Sequence, residues 1–485
     1  VVVSLVIGVD VGTQSTKGVL VETGRGVIAT AAESYDVSFP FPNWAQQDAR
    51  DWLKAAATVI GSLTTQAGRA ASEITHVAVD AQVDGVVAVD PALRPLHDAI
   101  IWMDRRAVQQ TQRIEAAIGT DRLFGITGLN CDSSHCAPKM AWLLECTAPR
   151  WLLPPATVVT SWLSGEVAQD HANASSSMLW DVRTRDWSEE LLEAAAVRTD
   201  LLPPVREAID VLGRVRRELA TELGLPVECE VLVGTGDDHA AAVGAGAVRQ
   251  GVVADVTGTA EPIGAPAIQP VFDTIDRLVE THAHAVPGLW FIENPGFVSG
   301  GSTRWCADLL GVSQPEIFVL AAGAEAGCKG LIFVPALSGS MAPRWNDLAR
   351  GSFTGASMDH GRAEWSRAVL EGCAFALRDV VDRMAEMGLA TDDVRVTGGG
   401  ARSQLWLQIK ADVLNRALRP VKGEGTASGA ACLAAVAAGW YSDLGEATDD
   451  LVELGEPVEP TGSEELDHAY RRYRQVFDAL EATYK

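Results

Sequence analysis

The 485 residues predict an α/β fold of two related lobes around a central cleft. One reason is the opening stretch. Val6-Ile7-Gly8-Val9 has the composition of a buried strand, runs into Asp10-Val11-Gly12-Thr13-Gln14-Ser15-Thr16-Lys17, and resumes as a second strand at Gly18-Val19-Leu20-Val21. The same pattern returns half a chain later in Val252-Val253-Ala254-Asp255-Val256-Thr257-Gly258-Thr259-Ala260, which makes the halves relatives of each other. Length agrees, being too great for one core and suited to two domains, 1–246 and 247–485.

Each repeated hairpin reads as a phosphate holder rather than a plain turn. Gly12 permits an unusual backbone angle, Thr13, Ser15 and Thr16 supply hydroxyls, Lys17 adds charge, and Asp10 can hold a divalent metal, with Gln14 at the turn. Acid-glycine-threonine turns are common in ordinary hairpins, so it is the second copy that carries the reading. Two such hairpins facing one cleft suit a fold that clamps a nucleotide.

In chain order, Gly26 to Tyr35 predicts a third strand, and a proline-rich turn at residues 39–42 leads to a helix from Ala49 to Gln66, with Asp48 as N-cap. The strand from Ile74 ends in Gln82-Val83-Asp84-Gly85. Gln82 and Asp84 fall on one side of the alternation and suit the hydroxyls of a polyol, although Asp-Gly is also a turn pair. Trp102-Met103-Asp104-Arg105-Arg106 combines a ring able to stack on a sugar with an acid and two bases, and equally suits a surface ion pair. Helices are expected at 108–118 and around 137–144, while residues 170–175 and 180–187 read as supporting loop and hairpin.

An apolar strand then meets Gly234-Thr235-Gly236-Asp237-Asp238. Both acids sit at a helix start, where backbone dipoles favour the ionised carboxylate a general base requires; one of them as N-cap is the plainer reading. After the second hairpin, strands are expected around 281–286 and 289–292. Ser299-Gly300-Gly301-Ser302 opens a helix as a nucleotide site would. A long helix from Ala363 to Met387 carries Arg367, Glu371 and Arg378, which suit interlobe pairs or, as the plainer reading, a solvated face. Thr397-Gly398-Gly399-Gly400-Ala401-Arg402-Ser403 would let an adenine ring lie on Gly399, Gly400 and Ala401 with its ribose near Ser403. An alanine-rich helix from Ala427 to Trp440 closes the chain by packing.

Composition narrows the function. A net charge of −25 argues against nucleic acid or an anionic membrane as partner. No apolar window of about 18 residues or export signal is read, so cytoplasm is expected, and since the first residue is not Met a few residues are expected before it. The eight cysteines show no CxxC pair and are expected to be reduced core residues. Cys131, His135 and Cys136 lie close together, but no zinc site is expected without a second ligand cluster.

In order and content, the hairpin at 10–17, the Gly-Thr-Gly-Asp segment at 234–237, the hairpin at 255–259, residues 333–339, Arg367-Ala368-Val369-Leu370-Glu371-Gly372 and residues 398–403 resemble the FGGY carbohydrate kinases, nearest the pentulose kinases of xylulokinase type. The resemblance covers nearly the whole chain. It implies two actin-like, ribonuclease H-like ATPase lobes around the cleft, with sugar mainly on the first, ATP on the second, and Mg²⁺ helping the two hairpins hold the phosphates. It places the catalytic base on Asp237, the metal-linked acid on Asp10, and phosphate contacts on Thr13, Thr16, Gly258 and Thr259. Adenosine contacts fall on Gly300, Arg304, Gly399, Gly400, Ala401 and Ser403, and sugar contacts on Val83, Asp84 and Asp238. Xylulokinases typically have Met-His where this chain has Val83-Asp84, and Asn at Asp238; Lys139-Met140-Ala141-Trp142, Ala356 and Trp365 also depart from the family's signatures. The expected activity is ATP-dependent phosphorylation of a terminal hydroxyl of a neutral sugar, a pentulose such as D-xylulose. The alternatives are another ketose or polyol (ribulose, a pentitol, erythritol, glycerol), a sugar-binding regulator without catalysis, and an actin-like ATPase. A homodimer is left open.

Overall fold

The computed structural model describes residues 4–346 and 348–484. In the first lobe the β-branched opening run forms β1 (Leu5–Val11), the resumed run forms β2 (Ser15–Glu22), and β3 (Gly26–Ser34) completes an antiparallel meander. Helix α1 (Ala49–Ala67) follows, capped by Asp48, whose side chain accepts from Arg50 N at 2.9 Å. It crosses back to β4 (Ile74–Ala81), which lies parallel to β1. After α2 (Cys136–Cys146) come β5 (Val211–Arg214), β6 (Glu230–Leu232), β7 (Thr235–Gly236) and α3 (Asp237–Gly244). The strand order is β5-β6-β4-β1-β2-β3, with β7 continuing alongside β4.

The second lobe contains β8 (Val252–Val256), β9 (Ala260–Ala267), β10 (Glu280–Ala283), β11 (Trp290–Val298), α4 (Gly300–Leu310), α5 (Arg362–Glu386), β12 (Asp393–Thr397), α6 (Gln404–Leu414), β13 (Leu418–Pro420) and α7 (Gly425–Ala437). Its sheet runs β10-β11-β9-β8-β12-β13. The segment β3-β2-β1-β4-β6 therefore matches β11-β9-β8-β12-β13 strand for strand: an antiparallel meander, a helical crossover (α1 or α5), then two parallel strands. The repeat read from two short motifs is a repeat of the whole topology.

The halves exchange their closing helices. Alanines of α7 pack with Val6, Val19, Val21 and Ala78 of the first sheet, and Ala242 of α3 packs with Val252, Ala254 and Phe291 of the second. Small residues are required because the backbones touch: a Cβ on Gly244 would stand 1.8 Å from Gly425 O, one on Gly429 1.8 Å from Ala240 O, and one on Gly8 2.1 Å from Ala427 O. The close-packing expected of the alanine-rich helix is thus present, but that helix does not close the chain. Helices Leu444–Leu451 and Glu464–Glu481 follow, the latter burying Leu466, Ala469, Tyr473 and Phe477 at helical spacing on the second core. A second correction concerns α5. Arg367 and Glu371 form no solvated face: Glu371 is buried, pairs with Arg367 Nε at 2.7 Å and accepts from Gly327 N at 3.1 Å. All eight cysteines are free, and all but Cys131 and Cys146 are buried. Among the described residues no helix is long and apolar enough to cross a membrane.

Candidate active site

The pairing register of the first sheet assembles the centre of the site. Lys17 on β2 stands opposite Asp10 on β1, Asp10 opposite Asp80 on β4, and Asp80 opposite Thr235 on β7, two residues before Asp237. Neighbouring strands lie about 4.8 Å apart, so this row places Lys17, Asp10 and Asp80 side by side at the strand ends. Asp80 is fully buried and neither carboxylate oxygen has a hydrogen-bond partner. Burial, with Asp237 as a second influence, pushes the Asp10 carboxyl up to about 7, and burial followed by the charge of Asp10 raises Asp80 well above the carboxylate range. Two crowded acids with unmatched oxygens fit a divalent cation. Asp80 was not singled out in the sequence, although a lone acid within an apolar strand was the available signal.

Asp237 is the first residue of α3, and Gly236, not an aspartate, is the N-cap. Its Oδ1 accepts from Val83 N at 3.1 Å and from its neighbour Asp238 N at 3.0 Å, which fixes the carboxylate against the 82–85 turn. Burial pushes it up to about 6 despite those backbone donors. Asp238 is raised further, by burial first and then by the charges of Asp237 and Asp84.

The turn that meets Asp237 is held from several sides. Asp84 has a φ of 56°, a left-handed conformation uncommon outside glycine and characteristic of functional turns. Its backbone carbonyl accepts from Lys139 Nζ at 2.6 Å, and its Oδ2 lies 3.3 Å from His135 Nδ1. Lys139, wholly buried in α2, also donates to Ser134 O, and burial lowers its pKa to about 8. Burial works against a charged His135, yet the Asp84 and Glu280 carboxylates carry its pKa well above the usual range. Glu280 belongs to the second lobe, 3.6 Å from His135 Nε2, so this chain of polar contacts spans the cleft. Lys139 and His135 went unassigned in the sequence; a single lysine in an apolar helix was the clue to the first.

Other expected contacts fare differently. Gln82 is buried, donating through Nε2 to Gln47 Oε1 at 2.8 Å while its Oε1 has no partner, and Gln47 in turn donates to Thr13 O at 2.8 Å. Trp102 Nε1 donates to Thr13 Oγ1 at 2.9 Å, joining the 102–106 segment to the first hairpin. Asp104 does not reach the cleft. It is fully buried, with Oδ2 accepting from Ala45 N at 2.6 Å and from Arg106 Nη2 at 2.7 Å, so the ion pair is present but lies in the interior rather than on the surface. Thr16 is a further correction: it is fully buried beneath the hairpin, 3.4 Å from the Tyr35 hydroxyl. Gln14 is exposed at the turn, and Lys17 Nζ pairs at 2.8 Å with Glu424 across the cleft.

The second hairpin is the electrostatic opposite of the first. Asp255 is buried but neutralised, its Oδ2 2.7 Å from Lys410 Nζ, which also lies 2.9 Å from Glu261, and its Oδ1 accepts from Thr257 Oγ1 at 2.9 Å. With its acid already paired, this hairpin has no unmatched charge to offer a metal. Beside it opens a cavity of about 480 Å³ lined by Gly258, Thr259, Gly300, Arg304, Gly399, Gly400 and Ser403 of the expected set. Thr257, Gln314, Phe318, Arg402 and Trp406, not anticipated, complete much of its wall. Ala401 does not line it, being packed against the second core. A Cβ on Gly300 would stand 2.3 Å from Gly258 O, so only glycine lets α4 start against the hairpin. The cavity meets a helix N-terminus on one side and a glycine turn on the other, which fits a nucleotide.

Comparison with known proteins agrees. Residues 5–244 match the N-terminal domain of the FGGY family of carbohydrate kinases and residues 258–438 its C-terminal domain. Xylulose kinase from Escherichia coli (strain K12) is 31% identical over 484 residues, 98% of each chain. Glycerol kinase from Thermococcus gammatolerans is 31% identical over 474 residues, 95% of this chain and 94% of that one. The crystal structure of xylulose kinase from Rhodospirillum rubrum superposes with a TM-score of 0.90 at 28% identity, covering 99% of both chains. Two lobes of one topology, a cleft with an acid row on one side and a nucleotide-sized cavity on the other, and family matches along both halves lead to one conclusion: the chain belongs to the FGGY family of carbohydrate kinases.

Proposed function

We propose that the chain phosphorylates a terminal hydroxyl of a neutral sugar with ATP, a pentulose such as D-xylulose being the substrate and Asp237 the general base. The observation that carries this reading is the setting of Asp237. It is fixed by two backbone N–H groups on Oδ1, opens partly to the cleft, and stands between the 82–85 turn and the Asp10 row. Its Oδ2, free of those bonds, takes the proton of the attacking hydroxyl. General-base assistance is worth roughly 10²–10⁴-fold, so alignment and charge stabilisation supply most of the acceleration. Gln82, Val83, Asp84, Trp102 and Asp238 orient the sugar. Thr13, Gln14, Lys17, Gly258 and Thr259 hold the phosphates, and the cavity residues hold the adenosine. Mg²⁺ would be held by Asp10 with Asp80, and when bound it supplies charge neutralisation for the transferred phosphoryl group. Closure of the lobes excludes water as a competing acceptor.

An Asp84 carboxylate accepts hydrogen bonds and donates none, which favours a substrate rich in hydroxyl donors and opposes a sugar acid, whereas Asp238, raised by burial, can hold a proton and donate it to a substrate oxygen. A second reading, a kinase for another ketose or a polyol, is favoured by Val83-Asp84 standing where xylulokinases have Met-His, and by the glycerol kinase among the relatives. An ADP-release screen over pentuloses, pentitols, hexuloses, glycerol and gluconate decides between them. D-xylulose is expected to give the highest kcat/KM, with gluconate lower by orders of magnitude. A pentitol or glycerol at the top would establish the second reading. Gluconate at the top would remove Asp84 from the sugar site.

A further inference from the structure

Behind the sugar turn, where the lobes meet, lies a group of side chains that phosphoryl transfer does not use. His239, in the first turn of α3, is fully buried, and neither ring nitrogen has a hydrogen-bond partner. Facing it from the second sheet are His282 on β10 and Glu293 on β11, respectively 3% and 4% exposed. One donor atom from each of the three lies within 4.8 Å of the others. His282 Nε2 and Glu293 Oε1 are 3.2 Å apart, yet Nε2 makes no hydrogen bond, and Glu293 Oε2 is also unpartnered.

Those features are costly in a protein interior, since each buried polar atom without a partner has lost its water and gained nothing in exchange. They are expected around an ion. Ligands 2.0–2.1 Å from a tetrahedral centre stand about 3.3 Å from each other, close to the His282–Glu293 spacing. We propose that His239, His282 and Glu293 bind one zinc-class divalent ion between the two lobes, with the fourth position left to water. Two imidazoles and a carboxylate select zinc over magnesium, which prefers oxygen ligands, so this site differs in chemistry as well as in residues from the acid row at Asp10.

A further observation agrees. Ser176 Oγ lies 3.2 Å from His282 Nδ1, the outer contact that orients a metal-bound imidazole and leaves Nε2 as the ligand atom. His284 is excluded as a ligand, since its Nε2 meets Ala247 O and its Nδ1 accepts from Val286 N, both at 3.0 Å. One ligand comes from the first half and two from the second, so the ion would tie α3 to the second sheet at the floor of the cleft.

The test is metal content. The full chain, stripped with chelator, is incubated with Zn²⁺ in the absence of sugar and nucleotide, freed of excess ion and analysed for zinc. About one ion per chain is expected in the wild type and in Asp10→Asn, none in His282→Ala or Glu293→Gln, and binding about 10- to 100-fold weaker in Ser176→Ala. A metal-free wild type, or a folded Glu293→Gln chain that keeps its zinc, overturns the proposal. Should the ligand variants fail to fold, the wild type loaded with Co²⁺ decides: visible d–d bands of a four- or five-coordinate ion support the site, and their absence overturns it.

Discussion

Asp237 and Asp10 are both carboxylates at strand ends, but they face different tasks. Asp237 is anchored by Val83 N and Asp238 N and, pushed up to about 6, is still ionised at neutral pH, as a base must be. Replacing it by Asn preserves shape and removes the proton acceptor. Asp237→Asn should therefore lower kcat by at least about 10²-fold while the ATP Kd, measured by calorimetry, changes little. A variant keeping more than about a tenth of wild-type kcat would take the role away from Asp237. Asp237 stands out in the sequence because Gly-Thr-Gly-Asp interrupts an apolar strand, and the structure places it on the cleft. Thr16 was misread for a reason of strand geometry: successive side chains alternate, so when Lys17 joins the row of Asp10, Thr16 faces the other way, toward Tyr35. Asp104 was ambiguous because its partner Ala45 N is far away in sequence, and no local pattern reports a tertiary hydrogen bond.

The glycine turn between β12 and α6 makes the same point for an element. Its existence is plain from three consecutive glycines, but the direction in which each would point a side chain is set by the hairpin packed beneath it. A Cβ on Gly400 would stand 2.3 Å from Thr257 Cγ2, inside the protein, whereas one on Gly399 meets nothing nearer than Thr257 O at 4.0 Å. Gly399 is thus the position that opens on the cavity, and Gly400 is required by packing. Gly399→Val should raise the KM for ATP about tenfold or more with little change in the KM for sugar, and Gly400→Val should lower the melting temperature instead. Equal changes in both KM values for a folded Gly399→Val chain would move the adenosine elsewhere. The Lys17–Glu424 pair is a related element-scale feature: it joins the first hairpin to the start of α7 and occupies the cation proposed to hold phosphate. Being partly exposed it is weak, and Glu424→Gln should lower the ATP KM by a factor of about two to five, as steady-state kinetics would register.

At the scale of the whole molecule, a cleft built from crowded acids in a chain of net charge −25 sets how stability depends on pH. Burial is the first cause that pushes Asp10 and Glu261 up to about 7 and Asp237 and Asp379 up to about 6. Between those values and about 4, the folded chain holds protons that the unfolded chain has released, so stability rises as pH falls through 7 and 6. His135, despite its burial, acts in the same direction because Asp84 and Glu280 raise its folded pKa: its stabilising share is present below 6.5 and lost as pH rises through the folded value. The opposing groups work elsewhere on the scale. Burial lowers His171, His282 and His284 to about 4 and His239 well below its ordinary value, so they favour the unfolded chain as pH falls through about 6.5, and Lys139, lowered to about 8, has an effect only above that value. From pH 8 to about 6.5 the acids and His135 therefore govern, and Asp80, Asp238 and Glu293, raised well above their ordinary values first by burial, continue the gain below it. Each proton is worth about 1.4 kcal/mol per pH unit, so Asp10 and Glu261 alone give a gain on the order of 2 kcal/mol. The chain without nucleotide or metal should melt a few degrees higher at pH 6 than at pH 8 and lose stability again toward pH 4.5, when the histidines and then the remaining carboxylates take up protons. Differential scanning calorimetry across that range checks it. A melting temperature that is flat or falls from pH 8 to pH 6 would mean that the cleft acids are already ionised in the folded chain, with a cation or water matching the oxygens of Asp80 that have no protein partner.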